Sequence, residues 1–299
     1  MYVVLGASGH TGHVVAKTLL TRGQKVRVVG RNAEHLRPFT TQGAELAVAD
    51  ATDANALTKA LQGADSAYVM IPPNLSSNDP LAYENRVGEA IAAAVANAGI
   101  KHVVVLSSIG ADKSSGTGPV VGLYHLEQKL NSLADANVLF LRAGYFMENT
   151  LPQVGVIRTL GSVAGPIRPN LKLSMIATRD IGDAAAEALL RREFRGKQIK
   201  ELLGQRDLDY IEVASVIGKA IGKPSLGYVQ APDDQLRKSM VQMGMSSSLV
   251  SLLLEMSAAL NSGHMKALEA RSQTNTTPTS FETFVNEEFV PAYQKQIAA

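Results

Sequence analysis

The chain has 299 residues, of which 45% are hydrophobic and 19% charged, a balance that buries a substantial core and excludes a disordered chain. A formal charge of +2 with scattered Lys and Arg leaves no footprint for direct nucleic-acid binding, and the absence of cysteine excludes disulfides, thiolate metal sites and a cysteine nucleophile. No apolar run approaches the ~20 residues that cross a bilayer, and the first residues already read as a core strand, so a cytoplasmic protein with no membrane partner is expected.

Tyr2 to Leu5 reads as a strand, followed by LGASGHTG, which sets Gly6, Gly9 and Gly12 three residues apart. Val14, Val15, Leu19 and Leu20 then recur at helical spacing. Glycine accepts positive φ and lets the backbone approach a ligand, while the free N–H groups and dipole of the following helix suit a pyrophosphate. The order G-x-x-G-x-x-G departs from the commoner G-x-G-x-x-G, so the turn alone fits a dinucleotide loop or a plain tight turn. The candidate cofactor contacts here are Gly6, Ser8, Gly9, His10, Thr11 and Gly12. None of the six histidines forms an H-E-x-x-H or comparable cluster, so no metal is expected.

A second strand, Gln24 to Gly30, closes on the turn GRN. NAD-specific folds carry a carboxylate there for the ribose; here Gly30 is followed by Arg31, whose guanidinium can take a 2′-phosphate, so NADP(H) is expected. The alternative for Arg31 is a solvated turn residue. The third strand, Ala44 to Ala49, ends at Asp50, which can accept from an adenine amino group or cap the next helix. That helix, ATDANALTKALQG, takes Thr52 or Asp53 as its cap.

The fourth strand lies in ADSAYVMIPP and ends at Pro72-Pro73, which makes Ile71 and Pro72 candidate cofactor contacts. Residues 74–83 read as a loop over the sheet edge or a helix cap, and the helix RVGEAIAAAVANAG stops at Gly99. KHVVVLSSIG carries Val103, Val104, Val105 and Leu106 in succession, as expected for a strand buried on both faces, and closes on Ser107, a candidate cofactor contact, and Ser108. VVGLYHLEQKLNSLADA is a helix and NVLFLRAGYF a sixth strand. This alternation predicts an α/β fold, a Rossmann-type doubly wound parallel sheet with right-handed crossovers.

From about Glu148 the rhythm breaks into irregular proline and glycine punctuation, followed by a helix in ATRDIGDAAAEALL, a short strand near KELLGQ, a helix in DYIEVASVIGKAIG and two Met- and Leu-rich helices. We therefore expect a dinucleotide domain over 1–150 and a smaller, mostly helical substrate lobe over 151–299, with some segments returning to the first domain. Met240, Met243, Met245 and Met256 read as lobe core.

Taken together, GASGHTG, VVGR, VVVLSS, FLRAGYFMEN, ATRDIGDAAAEALL and ELLGQRDLDYIEVASVIGKAIGKP resemble the NmrA-like, atypical short-chain dehydrogenase/reductases over nearly the whole chain. Within that family the chain is most similar to the NAD(P)H-binding, quinone-oxidoreductase-like members. The resemblance implies NADP(H) in a cleft between a Rossmann domain and a small lobe, a small-molecule substrate, and a monomer or homodimer. It implies one of two occupations: reduction of a quinone or similar small electrophile, or dinucleotide sensing that controls a partner without turnover. It places Tyr145, Phe146 and Asn149 near the nicotinamide and substrate; hinge packing between the lobes is their other reading.

Short-chain reductases pair Ser with Tyr-x-x-x-Lys on the helix after the fifth strand, where the lysine lowers the tyrosine pKa. Ser107 and Ser108 close that strand, Ser108 being the candidate catalytic serine and Tyr124 the candidate tyrosine. The nearest lysine, however, is Lys129, five residues on, and at ~100° per residue it lies ~140° around the helix rather than the ~40° of an i+4 partner. The familiar proton relay is therefore absent from the sequence. Hydride transfer to a quinone survives that absence, because it depends mainly on positioning.

Overall fold

The computed structural model describes residues 1–295. Its first half alternates strands and helices: β1 (Tyr2–Leu5), α1 (His10–Thr21), β2 (Val26–Gly30), α2 (Ala33–Thr40), β3 (Glu45–Val48), α3 (Ala54–Leu61), β4 (Ser66–Val69), α4 (Pro80–Ala98), β5 (His102–Ser108), α5 (Val120–Asn131) and β6 (Asn137–Ala143). The helix starts follow from local chemistry. Asn32, Asp53 and Asp79 each accept from first-turn N–H groups of α2, α3 and α4. Pro80 occupies the position where a missing N–H costs nothing, and Gly99 ends α4 in the left-handed conformation.

The second half contains β7 (Tyr145–Phe146), α6 (Gln153–Leu160), β8 (Val163–Gly165), β9 (Leu173–Ile176), α7 (Thr178–Arg191), β10 (Lys197–Leu202), β11 (Asp207–Leu208), α8 (Tyr210–Ala220), β12 (Tyr228–Gln230), α9 (Asp233–Gln242) and α10 (Ser247–Ser262). A last helical stretch runs from α11 (Phe281–Phe284) through a π turn at Val285–Phe289 into α12 (Val290–Lys295).

Seven strands form one parallel sheet in the order β10-β6-β5-β4-β1-β2-β3. From β1 the chain runs toward one edge of the sheet and from β4 toward the other. A crevice therefore opens beyond the carboxyl ends of this neighbouring pair, the position where doubly wound sheets take ligands. Alternate residues of each strand supply opposite faces. Val3, Leu5, Val103 and Val105 pack with α3, α4 and α5, while Val4, Val28, Val104 and Leu141 pack with α1, α2 and α7. A third core, with Met147, Ile157, Phe281, Phe284 and Phe289, fills the lobe.

Several sequence expectations need correction. The stretch after GRN, to which the sequence pattern assigns no element, holds α2, a two-turn helix that buries Leu36 and Phe39 and contains Pro38. Helix α4 begins at Pro80 rather than at Arg86: of the two readings of 74–83, loop or helix cap, Asp79 supplies the cap, and Tyr83 and Glu84 lie on the helix. The irregular stretch after Glu148 contributes strands to two small sheets, β11-β9-β7 and β12-β8. The four methionines do not form lobe core as a set: Met243 is 60% exposed, α9 buries no residue, and Met256 only packs against the core from outside.

Candidate active site

The three glycines after β1 do three different things. Gly6 has φ +67° and turns the chain, and a Cβ there would also press on Met70 Sδ at 2.8 Å. A Cβ on Gly12 would overlap the Gly6 carbonyl, so Gly12 lets α1 close against the turn. A Cβ on Gly9 would meet only Gly6 O, at 3.3 Å, and Gly9 is exposed. No side chain caps α1, which leaves the amides of its first turn facing outward. Ser8 and His10 are exposed beside them, bordering an opening of about 340 Å³ shared with Glu148 and Thr178. Thr11 is turned inward instead, its hydroxyl accepting from Tyr68 at 2.8 Å, so of the two only its backbone is left for a ligand.

Arg31, Gly30, Gly6, Ser8 and Pro72 line a small hollow of about 110 Å³ at the ends of β1 and β2. Asp50 does not line it, although its neighbours Ala49 and Ala51 do. Its carboxylate accepts from the Thr52 backbone and hydroxyl, at 2.8 and 2.7 Å, and these bonds, helped by the nearby Arg31 charge, hold it below the ordinary carboxyl range. Asp53, not Asp50, caps α3.

Met70 borders both this hollow and a larger cleft of about 430 Å³ between the sheet and the lobe. The cleft gathers Ile71, Ser107, Ser108, Tyr145, Phe146 and Asn149 from three separate segments, and the lobe closes it with Leu173, Met256, Leu260 and Met265. Tyr145 OH accepts from Tyr210 OH at 3.2 Å. Burial raises the Tyr145 phenol above its ordinary value, against the opposing effect of its hydrogen bonds to Tyr210 and Asn149. The phenol therefore stays neutral.

Behind the cleft lies a buried network that the sequence did not reveal. Ser107 donates to Glu127 Oε1 at 2.6 Å, and Arg142 grips the same carboxylate through Nε at 3.0 Å and Nη2 at 2.6 Å. Ser107 is thus tied to the scaffold, while the Ser108 hydroxyl donates to Ile109 O at 2.9 Å. Tyr124 is not among the residues that line the cleft: α5 turns Val120 and Leu123 toward it. Tyr124 instead stands edge-on to His125, which bonds Asn85 on α4 at 2.8 Å. The candidate Ser108 and Tyr124 are therefore not brought together. Glu84, also unforeseen, lines the cleft with its Oε2 buried and without a hydrogen-bond partner.

The family model described as the NmrA-like family matches residues 2–285. An NAD(P)H azoreductase of Xenophilus azovorans is 28% identical over 260 residues, 86% of each chain. Quinone oxidoreductase 2 of Escherichia coli is 25% identical over 269 residues, 88% of this chain and 89% of that one. Among solved structures, an NADPH-dependent quinone oxidoreductase of Escherichia coli complexed with NADPH superposes with a TM-score of 0.81 at 22% identity, covering 97% of this chain and 100% of that one.

Proposed function

Since the chain belongs to the NmrA-like family, we propose that it is an NADPH-dependent oxidoreductase that reduces a quinone or a similar small electrophile. The observation that carries this reading is the junction at Met70, where the hollow holding Arg31 meets an apolar cleft floored by the ends of β5 and β6. The names of the relatives support the same chemistry: an NAD(P)H azoreductase and a quinone oxidoreductase. No helix among the described residues is long and apolar enough to cross a membrane.

The residues present fit a dinucleotide. The uncapped amides of α1 and the open space over Gly9 suit the pyrophosphate, and Arg31 suits a ribose 2′-phosphate, for which no carboxylate stands in its place. When bound, NADPH supplies the hydride. The protein's part is to position and to exclude water: Ile71, Tyr145 and Phe146 wall the place where a planar ring can lie, and the lobe residues Met256 and Leu260 shield it. Ser107, held by Glu127, keeps the floor of the cleft rigid.

A panel of quinones and azo compounds mixed with the protein and NADPH tests this. Repeated turnover with at least one acceptor is the expected result. Tight NADPH binding without turnover on any acceptor overturns the reductase reading and leaves a dinucleotide sensor.

A further inference from the structure

We propose that Glu84 is a catalytic acid that donates the proton completing reduction of the acceptor; this rests on the reductase reading above. Among the described residues that line the cleft, Glu84 is the one carboxyl group. Its Oε2 is buried without a hydrogen-bond partner, which a carboxylate tolerates poorly and a neutral carboxyl tolerates well. The space it occupies comes from α5: a Cβ on Gly122 would overlap Oε2. Of the cleft's hydroxyls, Ser107 donates to Glu127, Ser108 to Ile109 O and Ser174 to Asp207, while Tyr145 accepts from Tyr210.

Burial pushes the Glu84 carboxyl up to about 8, so it carries its proton at neutral pH. The charged groups around it do not reverse this. Lys172, across the cleft, is bound to Asp209 and Glu212. On α5, Glu127 is held by Arg142, His125 bonds Asn85 and Lys129 pairs with Glu89. Lys266 lines the cleft from the lobe, and Tyr83 and Arg86 flank Glu84 on α4; none of them bonds Oε2.

In the step, Glu84 gives its proton to the oxygen of a quinone as the quinone ring system accepts a hydride. The carboxyl O–H bond breaks and the acceptor's O–H bond forms. Two electrons pass from the dihydronicotinamide, which is oxidised, to the quinone, which leaves as the hydroquinone, and water returns a proton to the carboxylate.

The test compares the parent with Glu84→Gln, which keeps the shape and removes the acid. With an acceptor the parent reduces, kcat is expected to fall by about 10²–10⁴-fold while the Kd for NADPH is unchanged. The parent's kcat should decline as pH rises through about 8, and the variant's profile should be flat there. Two readouts need no cofactor. The infrared band of a neutral carboxyl should persist at pH 7, disappear through about pH 8, and be missing in Glu84→Gln. Because the folded value lies above the ordinary 4.5, the stability associated with this group is full below that pH and is lost up to about 8. The Tm of Glu84→Gln relative to the parent should therefore rise across that window and level off above it.

If the amide variant does not fold, Gly122→Ala, which displaces the carboxyl, should lower kcat with NADPH affinity retained. Unchanged kcat in a folded Glu84→Gln or Gly122→Ala, or a carboxyl already ionised at pH 7, overturns the proposal while leaving the reductase reading standing. A parent that reduces no acceptor overturns both.

Discussion

The turn after β1 and the cleft beneath the lobe are neighbours built by different means. The turn is shaped by backbone: Gly6 bends it, Gly12 lets the helix approach, and Gly9 leaves space. The cleft is shaped by side chains from the segment after β4, from α4, β5, α5, β6 and β7 and from the lobe, most of them apolar. A backbone-built site tolerates few substitutions and holds one shape of ligand, whereas a side-chain-built site changes its acceptor by exchanging one wall. In this chain the first suits a constant cofactor and the second a variable substrate.

Substitutions that act on one region and spare the other test this contrast. The largest effect is expected behind the cleft. Arg142→Met strands the buried Glu127 carboxylate and should cost about 3–5 kcal/mol in urea unfolding. A loss below about 1 kcal/mol shows that the network is not what holds the cleft floor.

Within the turn, Gly12→Ala forces a Cβ into the Gly6 carbonyl and should destabilise the fold by about 1–3 kcal/mol. Gly9→Val should leave the unfolding midpoint close to the parent's and remove NADPH binding. Circular dichroism and calorimetric titration of both variants decide the matter; retained binding in Gly9→Val reduces the loop to a plain turn. Arg31→Ala should narrow the preference for NADP(H) over NAD(H) by about 1–3 kcal/mol, the scale of a charge-assisted contact. Equal affinities in the parent remove the basis for that role. Smallest of all, Tyr124→Phe should leave kcat unchanged, because α5 turns Leu123 rather than Tyr124 into the cleft.

The same contrast explains what could be read in advance. The strand-turn-helix start and the absence of an acid beside Arg31 are local patterns, and the sheet follows from alternating apolar strands, so the Rossmann-type fold was legible. The cleft was not, because its parts are far apart in sequence. Glu84 escaped notice because the helix reads as starting at Arg86; the Asp79-Pro80 pair was the available sign that it begins earlier. Glu127 and Arg142 sit on a helix and a strand whose polar residues pass for surface until the register of β5 and β6 brings Ser107 beside Arg142. The pairing of β10 with β6 likewise joins segments that local pattern cannot connect.

The central claim is that the turn presents a dinucleotide to an acceptor held in the cleft. Single-turnover mixing of the protein with a quinone and NADPH deuterated at the transferable C4 position tests it most directly. The expected result is a slower oxidation than with unlabelled NADPH, with deuterium leaving the cofactor during the reaction. NADPH that stays bound and unoxidised throughout, with every quinone tried, contradicts the account.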